Sequence, residues 1–112
     1  MLMTIAELPE YQRRAEKLLS EEERHDIVSY LAAFPKEGDL IRSTGGVRKL
    51  RWRQSGRGKS GGVRVIYYFH SERMPLYLLT VFAKNEREDL TQSERNDLAK
   101  LVRVLVKTAT GE

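Results

Sequence analysis

The chain has no cysteine, and its 112 residues include two histidines and three prolines. The lack of cysteine excludes a disulfide framework and any thiolate metal site. His25 and His70 stand far apart with no ligand spacing around them, so a surface or satisfied role is expected for both. No metal and no other cofactor is predicted. No apolar run approaches the roughly 20 residues that cross a bilayer. The opening MLMTIAELPEYQRR carries glutamates and a proline within its first ten positions, unlike a secretory leader. A cytoplasmic protein without a membrane partner is expected, with residues 1–112 forming one domain large enough to bury a core.

Negative charge is missing from one stretch. Residues 42–64 carry Arg42, Arg48, Lys49, Arg51, Arg53, Arg57, Lys59 and Arg64 and no acidic residue. Outside it, acidic residues outnumber basic ones, so the net charge of +4 is a local property. A concentrated cationic stretch on an otherwise acidic chain marks a surface that meets a polyanion.

The pattern around this stretch predicts an α+β fold: a helical hairpin packed on a small, mainly antiparallel sheet, followed by a C-terminal helix. Residues 3–7 suit a short edge strand. After Pro9, Tyr11, Ala15, Leu18 and Leu19 share one helical face. Ser20 to Glu23 reads as a capping box that starts a second helix, with Ile27, Val28, Leu31 and Phe34 as its buried stripe and Pro35 as its end. Residues 36–46 read as a polar connection.

The period then changes from helix to strand. Along residues 47–53, Lys49, Arg51 and Arg53 share one face, while Leu50, Trp52 and Arg48 share the other. A glycine-rich loop, residues 54–62, joins this strand to Val63–Phe69, and Leu76–Ala83 supplies a third strand after the Met74-Pro75 turn. Local connections between the three imply an antiparallel meander. Thr91 to Glu94 is a second capping box, and the helix it starts runs to about Lys107, with Leu98, Leu101, Val102 and Leu105 as its stripe.

The loop GRGKSGG lacks the spacing of a P-loop and precedes a strand, whereas a P-loop follows one, so nucleotide hydrolysis is not indicated. The basic strand face is the stronger signal. Arg48, Arg53, Arg57 and Lys59 are candidate RNA contacts, and so is Tyr68, which shares face parity with Arg64 and could stack on a base. Trp52, Tyr67 and Phe69 fit the core better. Metal-free RNA cleavage needs a group to take the 2′-OH proton, cations for the phosphorane charge and a group to protonate the leaving 5′-oxygen. Arginine and lysine supply the second role; Lys49, Lys84 and Glu86 have plausible proton-transfer chemistry, and composition does not choose among them.

Together, GGVRKLRW, GRGKSGG, GVRVIYYF and VFAKNERED resemble the RelE/ParE superfamily of toxins, with the nearest likeness to HigB-type ribosome-dependent mRNA endonucleases. The likeness runs over nearly the whole chain. It implies cleavage of mRNA in the ribosomal A site by attack of the 2′-OH, with translation and growth arrested. It also implies that Lys49 and Arg51 act as proton acceptor and phosphate contacts, and that Arg64 binds the scissile phosphate. Many relatives carry a lysine–arginine pair in the exit segment and a tyrosine six residues after the arginine. Here the pair is Lys84-Asn85 and the later residue is Thr91, which leaves the general acid open. The resemblance gives Lys84 a charge role and gives Asn85 and Glu86 the roles of bonding the nucleotide or orienting a basic residue. The implied partners are the ribosome with its mRNA and a cognate antitoxin, HigA-like and often carrying a helix-turn-helix, through which alone DNA would be met. The alternatives are a ParE-like poison of DNA gyrase, whose relatives generally lack the dense basic strand, and a basic RNA- or DNA-binding module without chemistry.

Overall fold

The computed structural model describes residues 2–54, 61–87 and 89–111. Strand β1 (Ile5–Glu7) leads into helix α1 (Pro9–Leu18), which has its proline in the first turn, where the missing amide costs nothing. Helix α2 (Glu21–Ala33) starts at the expected capping box. Ser20 Oγ accepts the Glu23 amide at 3.1 Å, and Glu23 Oε1 accepts the Ser20 amide at 2.9 Å. Glu21, Glu22 and Glu23 occupy the first turn, where the helix dipole favours negative charge.

Ile27 and Leu31 of α2 are fully buried, with Ala32 beside them. Phe34 is not part of that stripe. It is 54% exposed, because α2 ends at Ala33 and Phe34 leaves helical geometry as the C-cap. Its ring lies against Tyr30, centroid to centroid 5.2 Å.

The expected meander is present as β3 (Val47–Trp52), β4 (Val63–Tyr68) and β5 (Leu76–Ala83). It forms the middle of a five-stranded sheet ordered β1-β5-β4-β3-β2, in which β2 is Asp39–Leu40. Strand β1 runs parallel to β5, and the other pairs are antiparallel. Strand β2 falls within residues 36–46, read from sequence as a polar connection with no strand of its own.

The sheet separates two apolar clusters. Leu50, Val63, Val65, Tyr67, Leu76, Leu78 and Val81 meet Tyr11 and Ala15 of α1 and Ile27 and Leu31 of α2. On the opposite face, Val47, Ile66, Tyr68, Leu79 and Phe82 meet helix α3 (Gln92–Thr110). A bulge in the longest strand changes which of its residues face each layer. Ile66 pairs with Thr80 but Tyr67 pairs with Leu78, so Leu79 is the extra residue and the parity of β5 changes there.

Helix α3 also starts at its expected box, Thr91 with Glu94, and it runs to Thr110, three residues beyond the expected end. Of its stripe only Val102 is buried; Leu98, Leu101 and Leu105 are partly buried. None of the helices among the described residues is long and apolar enough to cross a membrane.

Candidate nucleic-acid interface

Strand register places the cations before any side-chain detail is considered. Arg51 of β3 stands directly opposite Arg64 of β4, and Arg64 stands opposite Phe82 of β5. Directly paired residues on one face hold their Cβ atoms about 5 Å apart, so the two guanidinium stems rise side by side. Arg51 is exposed and Arg64 half-buried. Lys49, two residues from Arg51, rises on the same face with its side chain 16% accessible. The two strands thus bring together three of the cations expected from sequence: Lys49, Arg51 and Arg64.

The segment leaving β5 and the start of α3 add groups that the sequence reading did not assign to the site. The Arg87 guanidinium lies 4.5 Å over the Phe82 ring, and its Nη1 donates to both Glu94 oxygens at 2.6 and 2.7 Å. Asp89 Oδ2 lies 3.5 Å from Lys49 Nζ and accepts from Arg95 Nη2 at 3.2 Å. Burial works against the Asp89 charge, but the Leu90 amide, Lys49 and Arg95 together hold its carboxyl below its ordinary value. The Arg87 hydrogen bonds hold the Glu94 carboxyl down in the same way, against the opposing effect of burial. Asp89 meets Lys49 of β3 because the chain folds back after β5; Arg95 joins through Asp89, and Arg87 with Glu94 lies over Phe82 of β5. Along the sequence Arg87 and Arg95 only bracket Glu88, Asp89 and Glu94, with four uncharged residues in between, a pattern with no period.

Other expected site residues point elsewhere. Arg48 rises on the opposite face, where its Nη1 donates to the carbonyls of Lys36 at 3.0 Å and Gly38 at 2.8 Å. Beside it, the Tyr67 hydroxyl accepts the Gly38 amide at 2.8 Å and donates to the Pro35 carbonyl at 2.9 Å. A Cβ on Gly38 would sit 2.7 Å from the Tyr67 ring, so this close approach requires glycine. Arg48 therefore ties the α2–β2 connection to the sheet and is not grouped with Lys49, Arg51 and Arg64. Tyr68 does share the face of Arg64, but it is 5% exposed and packed in the cluster under α3. Burial pushes its hydroxyl pKa up.

Glu86 is engaged with α1. Its Oε1 accepts the Ala83 amide at 2.9 Å and Arg14 Nη2 at 3.1 Å, while Arg14 Nε donates to the Val81 carbonyl at 2.6 Å. A recess of about 210 Å³ lined by Arg13, Arg14, Lys17, Leu18 and Glu86 lies there. Lys84 and Asn85 are exposed in the turn after β5, whose course is fixed by the Lys84 amide donating to Gly62 at 3.0 Å. Arg53 is exposed just past β3. Arg57 and Lys59 lie outside the described residues.

Gln54 was also missed. It is buried, and its amide donates to the Leu18 carbonyl at 3.0 Å and to Glu23 at 3.2 Å, anchoring the end of β3 to the helical hairpin. Among the described residues no group of three histidine, aspartate or glutamate side chains could hold a metal ion.

The result is a cationic strip across β3 and β4, exposed at Arg51 and half-buried at Arg64, with Lys49 covered by Asp89 and the Arg87–Glu94 and Arg95–Asp89 ion pairs alongside. A phosphodiester backbone suits such a surface, because each phosphate meets fixed donors without entering a deep pocket. The same donors can stabilise charge that grows on a phosphorus centre.

Comparison with known proteins agrees in sequence and in fold. Residues 10–112 match the family described as the RelE toxin of the RelE/RelB toxin–antitoxin system. The structure is also similar to a doubly substituted mutant of the E. coli toxin RelE in its free state. The TM-score is 0.60 at 18% identity, over 93% of this chain and 99% of that one. With the family matched across nearly its whole length, this chain belongs to the RelE toxins of toxin–antitoxin systems.

Proposed function

We propose that this toxin is a metal-independent endoribonuclease of the HigB type, cutting mRNA in the ribosomal A site and so stopping translation. The observation that carries the reading is the Arg51–Arg64 pair on the open sheet face, with Lys49 beside it. Like charges directly opposite on a sheet are destabilising, and an anion held between them offsets that cost.

The chemistry is an internal transfer. The ribose 2′-oxygen attacks the adjacent phosphorus, forming the O2′–P bond. The P–O5′ bond breaks, leaving a 2′,3′-cyclic phosphate and a 5′-hydroxyl. Arg64 and Arg51 hold the non-bridging oxygens, where negative charge increases in the transition state. Lys49 and Lys84 are the candidates for the two proton transfers, one taking the 2′-OH proton and one supplying a proton to O5′. Asn85 and Arg53 contact neighbouring nucleotides. The engagement of Glu86 with Arg14 and the Ala83 amide supports a different role for that residue, holding the exit turn in place.

The partner is a cognate antitoxin, HigA-like and carrying a helix-turn-helix, that covers the basic face; DNA is contacted through it alone. Mapping mRNA 5′ ends in cells after induction tests the reading. New ends within codons for the wild type, absent for Arg64→Ala and absent on RNA without ribosomes, are expected. Growth arrest with intact mRNA would reject endonuclease activity and point to another target.

A further inference from the structure

Asp89 stands where the basic strand face meets the approach to α3. One carboxylate oxygen is shared between Lys49 Nζ at 3.5 Å and Arg95 Nη2 at 3.2 Å, and the other accepts the Leu90 amide at 2.8 Å. The carboxylate therefore bridges a strand cation and a helix cation. Its own side chain stays 42% accessible, whereas Lys49 is 16% accessible beneath it.

A carboxylate and a phosphodiester offer the same kind of anionic oxygen to an ammonium or a guanidinium. The carboxylate side of the pair is open to solvent and the Lys49 contact is long, at 3.5 Å, so a second anion can approach from solvent and replace it. The neighbouring Arg87–Glu94 pair differs. Glu94 also caps α3 by accepting the Thr91 amide at 2.8 Å, so releasing it would disturb the helix. Asp89 is held to the backbone by a bond to its immediate neighbour, which leaves the Lys49 side free to exchange.

We propose that Asp89 is an internal competitor for the RNA phosphate. In the free toxin its carboxylate occupies the anion position between Lys49 and Arg95, and bound RNA takes over that position with a phosphate. The proposal rests on the RNA-binding reading of this face and deepens it by adding Arg95 to the phosphate contacts. It predicts that free RNA binds weakly. A phosphate presented by the ribosome at high effective concentration competes with Asp89 far better than one on a freely diffusing strand.

The test is equilibrium binding of a fluorescent single-stranded 2′-O-methyl RNA, which cannot be cleaved. It compares the wild type with Asp89→Asn, Asp97→Asn, Lys49→Ala and the Lys49→Ala/Asp89→Asn double variant. Asparagine keeps an acceptor for the Leu90 amide and removes the charge; Asp97, exposed on α3, controls for the change in net charge. Asp89→Asn is expected to bind roughly three- to tenfold tighter than the wild type. Asp97→Asn should move affinity far less, and the gain should vanish in the Lys49→Ala background. Equal affinities for Asp89→Asn and Asp97→Asn would overturn the inference while leaving the face itself in place. Equal affinities for wild type and Lys49→Ala would overturn the RNA-binding reading, and the inference with it.

Discussion

Arg51 and Arg64 face each other across the β3–β4 ladder, on the side of the sheet that α3 only partly covers. Neither α1 nor α2 packs on that side, and the arginine pair lies beyond the Val47 and Tyr68 positions that pack near Val102. Under the proposed function this guanidinium pair serves anion binding more than folding. Arg64→Ala is expected to melt within a few degrees of the wild type while cleavage falls by about 10²-fold or more. Thermal melts and single-turnover rates check both halves. An unfolded Arg64→Ala would mean that the residue holds the sheet together.

Two buried tyrosines should respond in opposite directions to the loss of their hydroxyls. Tyr67 bridges the Gly38 amide and the Pro35 carbonyl, so Tyr67→Phe strands two polar groups and should cost about 1–3 kcal/mol. Tyr11 is fully buried, its hydroxyl finds no hydrogen-bond partner among the described residues, and burial pushes its pKa up to about 12. Tyr11→Phe removes that unmet group and keeps the ring, so stability should hold or rise by about 1 kcal/mol. Urea unfolding of the two variants measures the contrast.

Acid should loosen the approach to α3. Asp89 and Glu94 have folded pKa values below their ordinary 3.8 and 4.5. Their stabilising contribution is therefore complete above those ordinary values and is lost as pH falls through the lower folded ones. The expected outcome is a stability that is flat from neutral pH to about pH 5 and declines below about pH 4. Asp89→Asn should flatten part of that decline. Melting temperature against pH for the two proteins is the measurement.

Glu86 separates a proton-transfer role from a positional one. If it holds the turn after β5 through Arg14 and the Ala83 amide, Glu86→Gln and Arg14→Ala should lower cleavage together and only by a few fold. A proton-transfer residue loses about 10²–10⁴ when its carboxyl is replaced. Steady-state cleavage rates of the two variants, measured side by side, decide between them.

Much of this architecture is legible in the chain because its signals are local. The Ser20 and Thr91 boxes mark two helix starts, and the alternation of Leu50 and Trp52 with Lys49 and Arg51 assigns the faces of β3. Strand β2 is not legible, because two exposed residues, Asp39 and Leu40, carry no period. The bulge at Leu79 leaves no mark in a continuous apolar run. In the basic run charge was readable but its use was not: Arg48 has the composition of a site residue and the geometry of a clamp. Asp89 reaches Lys49, and Arg95 reaches Asp89, through the fold of the chain after β5, and no spacing rule along the sequence reports such a contact.

The most direct measurement uses purified ribosomes holding an mRNA codon in the A site, incubated with wild-type, Arg51→Ala and Arg64→Ala proteins, with the RNA ends analysed chemically. A cut within the codon that leaves a 2′,3′-cyclic phosphate, with the rate falling about 10²-fold or more for Arg64→Ala, is the expected result. Intact mRNA with the wild type, or equal cutting by wild type and Arg64→Ala, would contradict the assignment of this face to RNA cleavage.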